Sequence, residues 1–214
     1  MNRLENLLPL VKPYYSSTDP AHDWAHVERV ALLAKVLSEK LEVNLEWVLA
    51  AVYCHDLINL PKNHPDRKKA SHLSAKEAEA LLKLSGFQVD EIKVIQDAIV
   101  QHSYSNGSTP THLESAILQD ADRLDALGAV GILRCASVNA KMESTFYDPN
   151  DPFAEGREHD DKKFMIDHYF VKLFKLPELM TTPMGKSIAY KRVEFMKKFL
   201  QELECEIRIS SCGS

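Results

Sequence analysis

The sequence predicts an all-α fold, because apolar residues recur at helical spacing along nearly the whole chain. Between Trp24 and Leu37 they lie three or four residues apart, as one buried helix face requires. No run of alternating apolar and polar residues indicates a β-strand. The 214 residues, 45% of them hydrophobic, are enough to bury the core of one domain. We therefore expect a single helical bundle.

Helix signals divide the first half of the chain. Pro13 ends the first predicted helix, Asp19 with Pro20 begins the second, and Asn44 caps the third. The predicted helices are residues 2–12, 19–40 and 44–56. Residues 59–71 contain prolines and many charges, which predicts an ordered loop.

Capping signals continue in the second half. Ser74 with Glu77, and Thr111 with Glu114, have the spacing of capping boxes, and Gly86 is typical of a helix end. The predicted helices are residues 74–85, 90–102, 111–141, 163–176 and 183–207. Residues 147–161 are rich in Pro, Gly and Asp, which predicts a mobile loop before the last two helices.

Composition limits the partners and the location. With 26 basic and 31 acidic residues the net charge is −5, which argues against binding duplex nucleic acid through bulk charge. The four cysteines form no CxxC pair, and no stretch reaches the length of a membrane span. We expect a cytoplasmic protein with reduced thiols, no membrane contact and a flexible tail at residues 207–214.

Four residues are the candidate ligands of a divalent metal: His26, His55, Asp56 and Asp122. Imidazole with carboxylate suits first-row divalent ions and Mg²⁺, so Mn, Co, Ni, Fe and Mg all fit. Adjacent side chains in mid-helix point about 100° apart. His55 and Asp56 can therefore share one ion only where the helix ends.

Four short sequence motifs contain or accompany these residues: His22–Val30 (HDWAHVERV), Cys54–Leu57 (CHDL), Gln101–Ser103 (QHS) and Gln119–Asp125 (QDADRLD). This ordered set resembles the HD-domain superfamily of metal-dependent phosphohydrolases, in particular the compact bacterial branch with nucleotide pyrophosphohydrolase-like proteins. The resemblance covers residues 20–200 and implies one HD-type domain over 1–206, with core motifs in 20–130 and closing helices in 163–206. It also implies one bound divalent ion and a small phosphorylated substrate, a nucleotide.

Further candidates surround the four ligands. Lys62 and Arg67 follow the HD pair and could contact phosphate, and Lys62 could also act in catalysis. His102 ends its predicted helix, where it could act in catalysis. Asp125 could bind a substrate hydroxyl or pair with a cation such as Arg123. Some members of this branch carry acidic residues after the HD pair, whereas this chain has Asn59 and Leu60, so the proton donor stays open.

The preferred reaction, which the resemblance implies, splits a nucleoside triphosphate into a monophosphate and pyrophosphate. Dephosphorylation of a monophosphate or a phosphodiesterase reaction would use the same site. A di-iron oxygenase would need more histidines, which His64 or His72 together with His102 could supply. A nucleotide-sensing module without turnover is the third possibility. The sequence does not predict the oligomeric state.

Overall fold

The computed structural model describes residues 2–15, 21–60, 64–104 and 107–208. Within these ranges the chain is all-α, and no strand forms beyond an isolated bridge between Thr145 and Phe164. The α-helices are α1 (Arg3–Val11), α2 (Trp24–Ser38), α3 (Leu45–Cys54), α4 (Ala70–Leu84), α5 (Val89–Gln101), α6 (Leu113–Asp125), α7 (Gly128–Lys141), α8 (Met165–Val171) and α9 (Pro183–Arg208). Short 3₁₀ segments cover Lys12–Tyr15, Arg67–Lys69 and Leu173–Leu179.

The chain divides into two compact units, Met1–Arg123 and Leu124–Ser214. In the first unit α3 contacts α1, α2, α4 and α5. Its sequence explains this central place, because residues on every face of α3 are apolar, and a helix of that kind is stable only when it is surrounded. Its buried residues are Val48, Leu49, Ala50, Ala51, Val52 and Cys54. The HD pair therefore follows a helix that packs against four others.

In the second unit α9 packs against α7 and the 3₁₀ segment before it. The helix begins as predicted, because the Thr182 hydroxyl accepts a hydrogen bond from the Gly185 N–H at 3.0 Å. Ala189, Val193, Met196 and Leu200 form its buried stripe. The prediction of one domain over residues 1–206 is not tested by the division into units, and it stays a prediction.

Several predicted boundaries differ from those observed. The long helix expected over residues 111–141 is two helices, and Gly128 at the break has φ +74°, a conformation that other residues rarely adopt. The second helix begins after Asp23, which caps it, while Asp19 and Pro20 lie outside the described residues. α4 begins at Ala70, and Ser74, predicted as its cap, is buried inside it. Capping-box spacing at Ser74 was therefore a misleading signal.

The segment 147–161, expected to be mobile, is a hydrogen-bonded loop. Both Asp151 carboxylate oxygens accept backbone N–H groups, from Glu155 at 2.8 Å and Gly156 at 2.9 Å. Arg157 donates to both oxygens of Asp167, a fully buried carboxylate on α8. Composition predicts mobility because the segment has few apolar residues, and its mobility stays a prediction beside these hydrogen bonds.

Two further expectations can be compared with the structure. Among the described residues, no helix is both long and apolar enough to cross a membrane. Cys54 and Cys135 are free thiols, whereas Cys205 is disulfide-bonded. The expectation of reduced thiols was therefore wrong for Cys205.

Candidate active site

The HD pair lies where α3 ends. His55 directly follows the last residue of the helix, and its Nδ1 donates a hydrogen bond to the Val52 carbonyl oxygen at 2.7 Å. That carbonyl is one of the last four of the helix, which have no donor within it. Since Nδ1 holds the proton, Nε2 of the neutral ring keeps its lone pair for another partner. The helix end thus fixes both the tautomer and the direction of His55.

The predicted metal ligands lie together. Nε2 of His26 lies 3.3 Å from Nε2 of His55, 4.0 Å from Asp56 Oδ2 and 3.6 Å from Asp122 Oδ1. His55 Nε2 lies 3.6 Å from the same Asp56 oxygen. An ion bonded at about 2.1 Å holds two ligand atoms no more than about 4.2 Å apart. Each of these separations meets that limit, so the donor set and its spacing fit one divalent ion.

Burial favours the same interpretation. The side chains of His26 and His55 are fully buried, while Asp56 and Asp122 keep 19% and 27% of their side-chain area exposed. Inside the protein the Nε2 atoms of these two imidazoles face each other 3.3 Å apart. Among the described residues, His26, His55 and Asp56 form the one group of three or more such side chains whose ligand atoms all lie within 4.8 Å of one another.

His102 lies at the other oxygen of Asp56. It follows the last residue of α5, and its Nδ1 donates to the Ile99 carbonyl oxygen at 2.6 Å. Its Nε2 lies 3.8 Å from Asp56 Oδ1, whereas His26 and His55 face Oδ2. The structure thus places this predicted catalytic residue beside the proposed ligands and outside their group.

Electrostatics favour the ionised form of Asp56 and the neutral form of His102. Burial acts to raise the pKa of Asp56, but the charges of His55, His22, His102 and His26 together lower it well below the ordinary value. Burial lowers the pKa of His102, and the nearby His55 adds to this effect. Asp56 is therefore ionised and His102 is neutral near pH 7.

The predicted phosphate contacts have different positions. Lys62 lies outside the described residues. Arg67 is tied to the segment after the HD pair, because its Nη1 donates to Asn59 Oδ1 at 2.7 Å and to the Leu60 carbonyl oxygen. A guanidinium has five N–H donors, so Nη2 and Nε have three that are not used by these two bonds.

Asp125 has a structural partner in the second unit. Arg134 Nη1 donates to its Oδ2 at 2.9 Å, and the Asp125 side chain is 1% exposed. Of the two roles predicted for Asp125, the structure shows the ion pair. Its cation is Arg134, whereas Arg123 was the example expected from the sequence. His64 accepts a hydrogen bond from the Asp66 N–H, and both it and His72 are exposed. They therefore do not provide the extra buried ligands that a di-iron site would need.

The chain is similar to known proteins. The HD domain family matches residues 23–127, which include all four proposed ligands. YpgQ, an uncharacterized protein of Bacillus subtilis strain 168, is 31% identical over 212 residues, which cover 97% of this chain and 95% of that protein.

Two solved structures are similar over nearly the full chain. The crystal structure of Bacillus subtilis YpgQ in complex with ADP has a TM-score of 0.71 and 28% identity, covering 96% of this chain and 97% of that one. An HD-superfamily hydrolase from Bacillus thuringiensis has a TM-score of 0.72 and 28% identity, covering 95% and 96%.

Proposed function

The chain belongs to the HD domain family and is an HD-type metal-dependent phosphohydrolase; from this premise we propose that its substrate is a nucleotide. The preferred reaction splits a nucleoside triphosphate into a monophosphate and pyrophosphate. The observation that carries the proposal is the convergence of four side chains: Nε2 of His26 lies within 3.3–4.0 Å of His55, Asp56 and Asp122, and His55 lies 3.6 Å from Asp56. The bound adenine nucleotide of YpgQ supports a nucleotide over other phosphorylated substrates.

Each proposed residue has a defined task. His26, His55, Asp56 and Asp122 would hold the ion, which when bound lowers the pKa of a coordinated water and polarises a phosphoryl oxygen. Two neutral imidazoles and two carboxylates balance the charge of a divalent ion. Any charge that develops on phosphate must then be offset by other groups, as Lys62 and Arg67 would do.

Arg67 is well suited to contact phosphate. Its bonds to Asn59 and Leu60 hold the side chain beside the segment that directly follows Asp56. An anchored guanidinium loses less rotamer entropy when it binds, and its remaining donors match phosphate oxygens. The Arg67 contacts therefore support the phosphate role, with one edge of the side chain fixed and the rest available.

His102 would move or position a proton. As a neutral imidazole with Nδ1 bonded to Ile99, it offers the Nε2 lone pair toward the Asp56 edge of the site. This arrangement suits a base or a hydrogen-bond acceptor for a nucleophilic water. Asp125, which is paired with Arg134, would support the fold of the second unit.

A nucleotide screen tests the proposal. The purified protein is stripped of metal, reloaded separately with Mn²⁺, Co²⁺, Ni²⁺, Fe²⁺ or Mg²⁺, and incubated with nucleoside mono-, di- and triphosphates in the absence of oxygen. Phosphate and pyrophosphate are measured separately. We expect pyrophosphate and monophosphate from triphosphates with at least one metal, at rates that an Asp122→Asn variant loses.

The outcomes distinguish the alternatives. Phosphate released from monophosphates would replace the preferred reaction with a phosphatase. Tight nucleotide binding with no turnover under any metal would make the protein a sensor. Activity on phosphorylated sugars with none on nucleotides would retain the phosphohydrolase and reject the nucleotide.

A further inference from the structure

Tyr15 lies against the turn that carries the HD pair. It ends the 3₁₀ segment Lys12–Tyr15 and is 4% exposed. Its hydroxyl donates to the Tyr53 carbonyl oxygen at 3.0 Å. The phenol thus holds the backbone two residues before His55. Nothing in the sequence around Tyr15 marks it as part of this site.

The Tyr15 hydroxyl supplies a hydrogen-bond donor to a carbonyl oxygen at the end of α3. The carbonyls of the last helical turn have no donor in the helix, and a buried one left without a partner is costly. Three successive carbonyl oxygens each accept a hydrogen bond from a different group. Val52 accepts from the His55 imidazole, Tyr53 from the Tyr15 hydroxyl, and Cys54 from the Leu57 N–H at 3.5 Å. The Tyr15 hydroxyl is the one bond in this set that comes from another segment of the chain.

We propose that Tyr15 is a positioning residue for the metal, which acts by fixing the backbone from Tyr53 to Asp56. The proposal rests on the metal site proposed above. His55 and Asp56 must both point at one ion although they are adjacent in sequence, so their directions depend on the dihedral angles of this turn. A second anchor lies just beyond, where the Ser74 hydroxyl accepts the Ile58 N–H at 3.0 Å. Tyr15 therefore controls the side of the turn nearer the helix.

Tyr15→Phe is the direct test, because it removes the bond to the Tyr53 carbonyl and keeps the ring. Tyr14→Phe is the matched control, since Tyr14 is the preceding residue and its hydroxyl bonds only to the exposed side chain of Glu77. Metal dissociation constants are measured with Co²⁺ and Mn²⁺, and the visible absorption of the Co²⁺ form reports the ligand geometry. Loss of a group that orients a metal ligand typically weakens metal affinity about 10- to 100-fold.

We expect Tyr15→Phe to raise the dissociation constant about tenfold and to alter the Co²⁺ spectrum, while Tyr14→Phe changes neither. A Tyr15→Phe protein with wild-type affinity and spectrum, even if its melting temperature falls, would overturn the proposal and leave Tyr15 a purely structural residue. Absence of metal binding by the wild type would instead refute the proposed site itself.

A second variant covers the case in which Tyr15→Phe does not fold. Incorporation of 4-fluorophenylalanine at position 15 keeps the ring and fills the space of the hydroxyl with an atom that cannot donate to the Tyr53 carbonyl. We expect a similar rise in the metal dissociation constant, with circular dichroism unchanged. An unchanged constant in this folded protein would also overturn the proposal.

Discussion

His55 and His102 occupy equivalent positions in their helices. Each follows the last residue of its helix, and each donates from Nδ1 to the carbonyl oxygen three residues earlier. The free carbonyls at a helix end therefore set the tautomer of both rings and direct both Nε2 atoms into the site. The two histidines differ in the oxygen of Asp56 that they face, which is Oδ2 for His55 and Oδ1 for His102.

Loss of a proposed ligand should abolish metal binding and activity together. We expect His55→Ala and the nearly isosteric Asp122→Asn to lose stoichiometric metal, measured by elemental analysis after dialysis, because too few ligands remain to retain the ion. His112→Ala, at an exposed histidine outside the site, should keep both metal and activity. Full metal content in a folded Asp122→Asn protein, as judged by circular dichroism, would remove Asp122 from the ligand set.

Arg67 should affect phosphate binding without affecting metal content. A charge-assisted bond is worth about 1.5–3 kcal/mol, so we expect Arg67→Ala to reduce kcat/KM about 10- to 100-fold. Lys68→Ala removes the neighbouring exposed charge and serves as the control. Equal losses in both variants would indicate a general charge effect, and wild-type kinetics in Arg67→Ala would limit that residue to holding its loop.

At the scale of the elements, the sequence predicts a helix boundary correctly where one side chain caps the helix, as Asn44 does. Asn44 predicted the start of α3 because its carboxamide oxygen accepts the Glu46 and Trp47 N–H groups, a local effect that one residue can signal. The break between α6 and α7 gave no such signal. It depends on the positive φ of Gly128, and a glycine inside an apolar helical pattern is compatible with a continuous helix.

The loop of residues 147–161 should resist protease until its charge pair is removed. Arg157→Ala leaves the buried carboxylate of Asp167 without its main cation, which costs about 3 kcal/mol or more. We expect slow cleavage of the wild type and rapid cleavage within this loop in the variant. Lys162→Ala, an exposed charge in the same region, should behave as the wild type.

The cleavage sites are identified by mass spectrometry of the fragments. Rapid cleavage of the wild-type loop would confirm the mobility predicted from composition. Low hydrophobicity measures only the apolar area a segment can bury, whereas Arg157 and Asp167 are ten residues apart and pair only in the folded chain.

At the scale of the whole molecule, the proposed ligands belong to one unit, and the sequence contains no sign of the boundary between the units. The motifs that carry the four proposed ligands are short, and all lie within Met1–Arg123. The boundary at Leu124 falls inside α6, where the helical pattern continues without a proline or glycine. The units are defined by contacts between residues that are far apart in the sequence. The periodicity of apolar residues along the chain does not show which distant residues will be in contact.

Metal should therefore stabilise the first unit more than the second. A ligand that binds only the folded state adds about 2.7 kcal/mol at a concentration of 100 times its dissociation constant. Since every proposed ligand belongs to Met1–Arg123, the openings that metal suppresses are those of α2, α3, α5 and α6. We expect saturating Mn²⁺ to slow amide hydrogen exchange in these helices and to leave α9 little changed, with no effect in His55→Ala. Equal slowing in α9 would mean that the two units open as one cooperative structure, and equal slowing in His55→Ala would place the ion elsewhere.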